Sequence, residues 1–361
     1  MKPDMDGFLY PEVDAGKCVN CGLCEKACPI VTLCKKQETL PDAYAAYTMD
    51  QAVRLESSSG GVFSEVAKAV IAQGGAVFGA AYNDSFEVVH ICVETEPELA
   101  RLRGAKYAQS DLGNSFAQVK QRLDRGQQVL FSGTPCQVGG LKAFLRKDYE
   151  NLLTVDIICR SVPSPMVWEK YVDSFGKIKS FNLRAKDTGW SRYRYCHRID
   201  SGDDIKLIPS GDSLYMKLFV GGYINRKSCE NCRFKGYSRI SDLTLGDFWG
   251  IWDIAPEMDD DKGTSVVLVQ SDRGAAVLNQ LRDKLVVKTV TLEEASRQNP
   301  AMLVSAKPNP KRTEAMERIR GDGIGNCETW FPKPAESTPW RLVPRIRRLL
   351  ARIKRKLWPD R

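Results

Sequence analysis

Cys18, Cys21, Cys24 and Cys28 follow one another with two, two and three residues between them, and Pro29 comes next. This is the bacterial ferredoxin spacing for a cubane 4Fe–4S cluster. Thiolates set two residues apart on a tight loop converge on one face of a cluster. Gly22 lets that loop bend between ligands, and the proline stops the turn from running on as a helix. A zinc knuckle usually pairs two Cys-x2-Cys units, and a disulfide set belongs to a secreted chain, so both fit the run less well. The chemistry implied is transfer of single electrons. In two-cluster ferredoxins the fourth cysteine of such a run serves the other cluster. Cys34, six residues after Cys28, is therefore an alternative fourth ligand, and the assignment of Cys28 stays open.

Four more cysteines could do the same chemistry. Cys229 and Cys232 form a second Cys-x2-Cys pair, while Cys136 and Cys159 stand at the ends of expected strands. If the fold brings them together they make a second tetrathiolate set, suited to another 4Fe–4S cluster. The competing reading makes Cys136 a reactive thiol at a helix N-terminus and leaves Cys229 and Cys232 as half a zinc site. Cys92, Cys196 and Cys327 stand alone and read as core or surface thiols.

The elements that must position these residues are legible in part. Ser57-Ser58-Ser59-Gly60-Gly61 precedes Val62, Phe63, Val66, Val70 and Ile71 at helical spacing. Such a turn either caps a helix or offers free N–H groups to an anion. Ala76–Tyr82 and Phe86–Val93 read as a hairpin, and a helix is expected near Ser115–Leu123. Val129–Ser132 reads as a strand, Gly133-Thr134-Pro135-Cys136 as a turn and Gln137–Leu145 as a helix. Leu152–Cys159 reads as a second strand, followed by a helix opened by Ser164-Pro165. Tyr193–Ile199, Leu243–Leu245 and Val266–Gln270 read as strands, and Asp212–Val220 and Ala275–Leu281 as helices. Alternation of this kind predicts a mixed α/β body with ligand sites at the carboxyl ends of its strands.

The chain has 361 residues, 43% of them hydrophobic, enough for two or three packed units. The start, MKPDMDGFLYPEV, has neither a basic n-region nor an apolar run, and no stretch approaches the ~20 apolar residues of a membrane span. Twelve cysteines without an export signal point to a reducing cytoplasm and to metal ligation. The net charge of +8 is local: residues 341–361 hold nine of the 53 basic residues and one of the 45 acidic ones, leaving 44 of each elsewhere. That balance argues against a nucleic-acid-binding body.

Together these motifs carry a resemblance. The ferredoxin run, the Ser-Ser-Gly-Gly turn at 58–61, Lys106-Tyr107-Ala108-Gln109-Ser110, Gly133-Thr134-Pro135-Cys136-Gln137, Cys159 with Pro163-Ser164-Pro165, Cys229-x2-Cys232 and Gly246-Asp247-Phe248-Trp249-Gly250 occur in that order. This order resembles the coenzyme F-420 hydrogenase/dehydrogenase beta-subunit family over roughly residues 15–300. The resemblance implies an iron–sulfur flavoprotein oxidoreductase that holds FAD beside one or more 4Fe–4S clusters. Its two-electron partner would be a deazaflavin or a similar small carrier, or a redox partner protein. It also implies that Ser58, Ser59, Gly60, Gly61, Lys106, Tyr107, Gln109, Ser110, Thr134, Asp247 and Trp249 line the flavin or its surroundings. Lys106 would neutralise phosphate or tune the ring, or else remain a solvated lysine. Many relatives carry His-Gly after the strand-end cysteine where this chain has Arg160-Ser161, which puts the deazaflavin in question. Some bacterial members sit beside exopolysaccharide genes, so a role with a glycan or lipid-linked precursor is a further expectation. The alternative is a non-catalytic subunit that only relays electrons to a partner enzyme. The expected organisation is a ferredoxin-like 4Fe–4S module at 1–40, a flavin-binding body in two parts at 41–125 and 126–300, a linker at 301–340 and a helix at 341–361.

In that last segment Leu342, Val343, Ile346, Leu349, Leu350, Ile353 and Leu357 recur every three or four residues among Arg345, Arg347, Arg348, Arg352, Lys354, Arg355 and Lys356. This is the pattern of a basic amphipathic helix that lies on an anionic membrane surface; an acidic partner protein is the second reading. The expected location is cytoplasmic, peripheral on the inner face of the membrane. With ~1 kcal/mol for each basic residue near an anionic leaflet, flotation should recover the full chain with anionic vesicles. Removal of 341–361 should abolish that recovery, and equal recovery of both forms would overturn the membrane reading.

Overall fold

Alternate residues of the central strands face two different cores, the period-two pattern of a sheet covered on both sides. Val77, Ala81 and Leu130 enter one cluster, whereas Ala76, Phe78, Val129 and Phe131 enter another. A computed structural model describes residues 1–32, 39–191 and 194–331. Near the N-terminus β1 (Lys2–Pro3) pairs with β2 (Leu9–Tyr10), and α1 (Leu23–Lys26) lies inside the first cysteine run. Then come β3 (Asp42–Thr48), α2 (Gln51–Glu56), α3 (Val62–Ala72), β4 (Ala76–Tyr82), β5 (Val88–Val93), α4 (Ser115–Asp124), β6 (Val129–Gly133), α5 (Pro135–Leu145), β7 (Leu152–Ile157) and α6 (Pro165–Asp173). A small sheet follows, β8 (Ser180–Ala185), β9 (Cys196–Asp200) and β10 (Ile205–Pro209), then α7 (Leu214–Val220). The chain returns to the main sheet with β11 (Leu243–Asp247), α8 (Ile251–Ile254), β12 (Ser265–Val269), α9 (Asp272–Gln280), β13 (Leu285–Val290), α10 (Leu292–Ser296) and, last among the described residues, α11 (Arg312–Asp322).

The main sheet has the order β13-β3-β12-β11-β7-β6-β4-β5. β4, β6, β7 and β11 run parallel, and the flanking pairs are antiparallel. Helices α3 and α9 cover one face, α4 and α5 the other. The mixed α/β class and the N-terminal module are as the sequence implies. The two body segments on either side of residue 125 share this one sheet, with β3 hydrogen-bonded between β12 and β13. Helix α7 begins at Leu214 rather than Asp212 because the Ser213 hydroxyl accepts from the Met216 N–H at 3.3 Å and caps it.

The expected 301–340 linker is corrected over its described part. Ala315, Met316 and Ile319 of α11 are buried, and Met316 and Ile319 pack with Ile324 and Cys327 against the aromatic core around Trp168, Tyr171 and Tyr215. The polar composition of the segment obscured an apolar stripe three and four residues apart. The helix also holds the N-terminus: Arg312 and Arg320 each donate to the Asp6 carboxylate at 3.0 Å. Cys34 and the amphipathic segment 341–361 lie outside the described residues. Because Ile319 is fully buried, Ile319→Ala should cost about 2–5 kcal/mol in chemical denaturation; a cost below ~0.5 kcal/mol, typical of surface sites, would show that α11 is not part of the core.

Candidate redox site

Parallel strands bring their carboxyl ends to one edge of the sheet, and β6, β7 and β11 lie side by side there. After β6, Thr134 opens α5 with a capping box: its N–H donates to Gln137 Oε1 at 2.9 Å. Pro135 takes the first helical position, so Cys136 falls on the first turn with its thiol exposed, 3.1 Å from Thr134 Oγ1. Cys159 lies two residues beyond β7. Cys229 and Cys232 sit on a short 3-10 turn braced from one side. The Cys232 N–H donates to Ser305 Oγ at 3.0 Å, the Ala306 N–H donates to the Cys229 carbonyl at 3.3 Å, and Gly236 N–H and Arg239 Nη2 both donate to the Met302 carbonyl at 3.0 Å. The Lys235 ammonium joins the Cys159 carbonyl to that of Ala301. Residues 301–306, expected as linker, therefore brace the second cysteine set.

The four thiols lie in one another's electric field. Burial pushes the Cys159 thiol up, and Cys136, Cys229 and Cys232 add to the rise. Cys229 is pushed up to about 11 by burial, with Cys136 and Cys232 contributing. Among the described residues no three Cys, His, Asp or Glu side chains form a group tight enough for a single metal ion. The first run keeps its thiols at the surface. Cys18, Cys21 and Cys24 are exposed and Cys28 is half-buried. Asn20 and Gly22, with φ of 54° and 66°, turn the loop on either side of Cys21.

Beside the strand ends Arg184 gathers several expected flavin residues. It sits on β8 at a bulge, where two residues between Asn182 and Ala185 face His197 alone, a distortion that re-aims a side chain. Its guanidinium is buried and binds Asp247 with both nitrogens, at 2.6 and 3.0 Å. It also donates to Tyr107 Oη and to the Ser58 carbonyl, each at 3.3 Å, and lies 4.2 Å over Tyr195 and 5.1 Å over Trp249. Trp249 stacks on Trp190 at 5.2 Å, and the Trp190 indole N–H donates to Asp247. Arg184 Nε and Ser58 Oγ are buried with no hydrogen-bond partner among the described residues.

Residues 126–295 match the family model for the C terminus of the coenzyme F420 hydrogenase/dehydrogenase beta subunit. That stretch, somewhat under half of the chain, is similar to this family. Residues 9–30 match a 4Fe–4S binding domain. A solved structure, the xenon-derivatised F420-reducing [NiFe] hydrogenase complex from Methanosarcina barkeri, contains a chain with the same fold. The two share 15% identity at a TM-score of 0.50, over 83% of this chain and 97% of that one. No curated protein sequence matches this chain.

Within this fold the eleven expected flavin residues divide into groups. Ser58, Tyr107, Asp247 and Trp249 meet at Arg184. Ser59 and Gly60 bind the loop before β12, with Ser59 Oγ donating to the Thr264 carbonyl at 2.8 Å and the Gly60 N–H to Ser265 Oγ at 3.0 Å. A Cβ on Gly60 would stand 2.4 Å from the Ala46 carbonyl, so backbone packing requires that glycine. Gly61, at φ 82°, starts α3 without a side-chain cap. Gln109, Ser110 and Thr134 belong to the cysteine side: Gln137 Nε2 donates to Ser110 Oγ at 2.8 Å, and Gln109 Oε1 accepts from the Leu9 N–H. The Lys106 ammonium is turned inward, held by the carbonyls of Arg101 at 3.0 Å and Arg103 at 2.6 Å, and burial lowers it to about 7. Lys106 is thus no solvated lysine. Sequence reasoning missed Arg184 and Lys186. Lys186 Nζ donates to the carbonyls of Arg54, Ser59 and Lys262 at 2.5–2.7 Å, pinning the Ser58–Gly61 turn. Alternation in Phe181–Ala185 was the available signal, but the bulge breaks it. Arg184→Met strands the Asp247 carboxylate, and the expected loss is about 3–5 kcal/mol by chemical denaturation; a loss under ~1 kcal/mol would mark the pair as an ordinary surface bridge.

Proposed function

We propose that this chain is an iron–sulfur flavoprotein that carries electrons between a two-electron partner and two 4Fe–4S clusters. The observation that carries this reading is the continuity of residues 107–110. Tyr107 is bonded to Arg184, and Ser110 is bonded to the Gln137 that caps the helix of Cys136. One short segment therefore touches both the expected flavin surroundings and the second cysteine set. Cys18, Cys21, Cys24 and Cys28 would hold one cluster, and Cys136, Cys159, Cys229 and Cys232 the other. FAD would lie at Arg184, where the unpartnered Arg184 Nε–H and Ser58 hydroxyl fit a polar ring edge. Flavin accepts two electrons together and releases them singly, the conversion such a protein requires. The chain's own part is to present buried donors, to hold Asp247 paired with Arg184, and to hold the segment between flavin and thiols rigid. The partner carrier would be a deazaflavin or a similar small molecule. The tail at 341–361 would bring the protein to an anionic membrane surface, where a glycan or lipid-linked precursor is a fitting substrate. None of the helices among the described residues is long and apolar enough to cross a membrane.

Anaerobic purification with iron and flavin assay tests the reading. The expected content is about eight irons per chain with about one flavin. Cys159→Ser and Cys229→Ser should each lower iron to about four, as should Cys21→Ser. About four irons in the unaltered protein would remove the second cluster, and full iron without flavin would favour the electron-relay subunit. Stoichiometric zinc without iron would overturn the proposal.

A further inference from the structure

Two arginines flank the second cysteine pair in sequence, Arg226 three residues before Cys229 and Arg233 directly after Cys232. Each reaches back to the chain on one side of the first cysteine run, Arg226 to β2 before it and Arg233 to Ile30 after it. Arg226 Nη1 donates to the Leu9 carbonyl at 3.0 Å, and its guanidinium lies 4.0 Å over the Tyr10 ring. Arg233 Nη1 donates to the Ile30 carbonyl at 3.1 Å. Leu9 and Ile30 stand outside Cys18 and Cys28 respectively, so the loop is held at both ends by residues that also border Cys229 and Cys232. The same polypeptide turn thus carries two thiols of one set and two of the attachments of the other. The Arg226 carbonyl accepts from the Cys229 N–H at 3.0 Å, and the Arg226 N–H donates to the Val162 carbonyl at 2.9 Å, which fixes the first strut in the strand-end loop of Cys159.

A third contact agrees with these two. Pro29, the neighbour of Cys28, lies against Gly140 of α5, 3.9 Å from where a Cβ would stand. Gly140 is four residues after Cys136 and therefore shares its helix face, about 6 Å along the axis. The end of the first run thus lies one helical turn from a residue of the second set.

We propose that Arg226 and Arg233 are positioning residues that fix the distance between the Cys18–Cys28 centre and the Cys136/Cys159/Cys229/Cys232 centre. This rests on the two-cluster reading above. The step they serve is a single electron passing from one reduced cluster to the other oxidised one; no bond is made or broken and no proton moves. Neither arginine needs to touch an iron or sulfide. Their action is geometric, through carbonyls on the far chain segment.

The test uses the full-length protein purified anaerobically, with the Arg226→Ala, Arg233→Ala double variant. Iron and flavin content should match the unaltered protein, because no thiol is removed. Hydrogen exchange over residues 8–31 should speed up while the sheet strands keep their protection. In the fully reduced protein, electron paramagnetic resonance should show magnetic interaction between two clusters in the unaltered chain and its loss in the double variant. Arg226→Lys with Arg233→Lys, which keeps a donor at each site, should restore part of it. Retained interaction and exchange protection in the double variant would overturn the proposal, as would reduced clusters that do not interact in the unaltered protein. The exposed Arg233→Ala change alone gives the same readouts if the double variant folds poorly. A finding of about four irons in the unaltered chain would instead sink the two-cluster reading, and exchange over residues 8–31 would still report whether the arginines hold the module.

Discussion

The parallel pairing of β6, β7 and β11 governs the chemistry available to this chain. The registers Val129↔Leu152 and Val155↔Leu243 set three strand ends level along one edge. Cys136, Cys159 and Asp247 each follow or end one of those strands, although 111 residues separate the first from the last. No local spacing could bring them together. Parallel strands demand crossover connections, and here the crossovers carry α5, α6 and the small sheet. The connection from β7 to β11 is long enough to contain both Arg184 and the Cys229–Cys232 turn, and so it delivers the remaining parts of both centres to the same edge.

That edge is stiffened by buried cations that bind backbone carbonyls more often than carboxylates. Arg54 binds Asp260 through two nitrogens and the Gly263 carbonyl through a third, and Arg239 binds only carbonyls of Phe234, Gly236 and Met302 together. Lys186 is surrounded by three carbonyls, one for each of its hydrogens. A buried cation without partners is costly, whereas carbonyls satisfy it and leave a loop with few alternative conformations. Arg239 and Lys186 each tie two loops, and Arg54 ties α2 to the loop before β12. The body has as many acidic as basic residues, so this positive charge is placed rather than accumulated.

The first cysteine run was legible because a ferredoxin loop is a local structure, with every ligand and turn residue within a few positions. The second set was visible only as four thiols at loops and strand ends, since its assembly depends on the order of strands. Arg184 could not be singled out: a lone arginine in Ser180–Ala185 looks like a solvent-facing strand residue, and the bulge that turns it inward leaves no clear mark in the sequence. Residues 301–306 and α11 were hidden for a different reason. Their prolines and charges dominate the composition, while the few apolar residues that anchor them pack against an aromatic core formed far away in sequence.

The ends of the ferredoxin module show how a surface loop is tied to the body of the fold. A loop with three exposed thiols gains little from its own packing, and α1 has no buried residue. Its position must come from elsewhere: Asp6 held by Arg312 and Arg320, Leu9 by Gln109 and Arg226, and Ile30 by Arg233. Most of these partners are long cationic side chains reaching carbonyls or a carboxylate, contacts that tolerate sequence change in the loop itself. The module can therefore leave its cysteines exposed while its flanks stay tied to the body. Exposure and registration are opposing demands on one short segment, and arginines supplied by the body reconcile them.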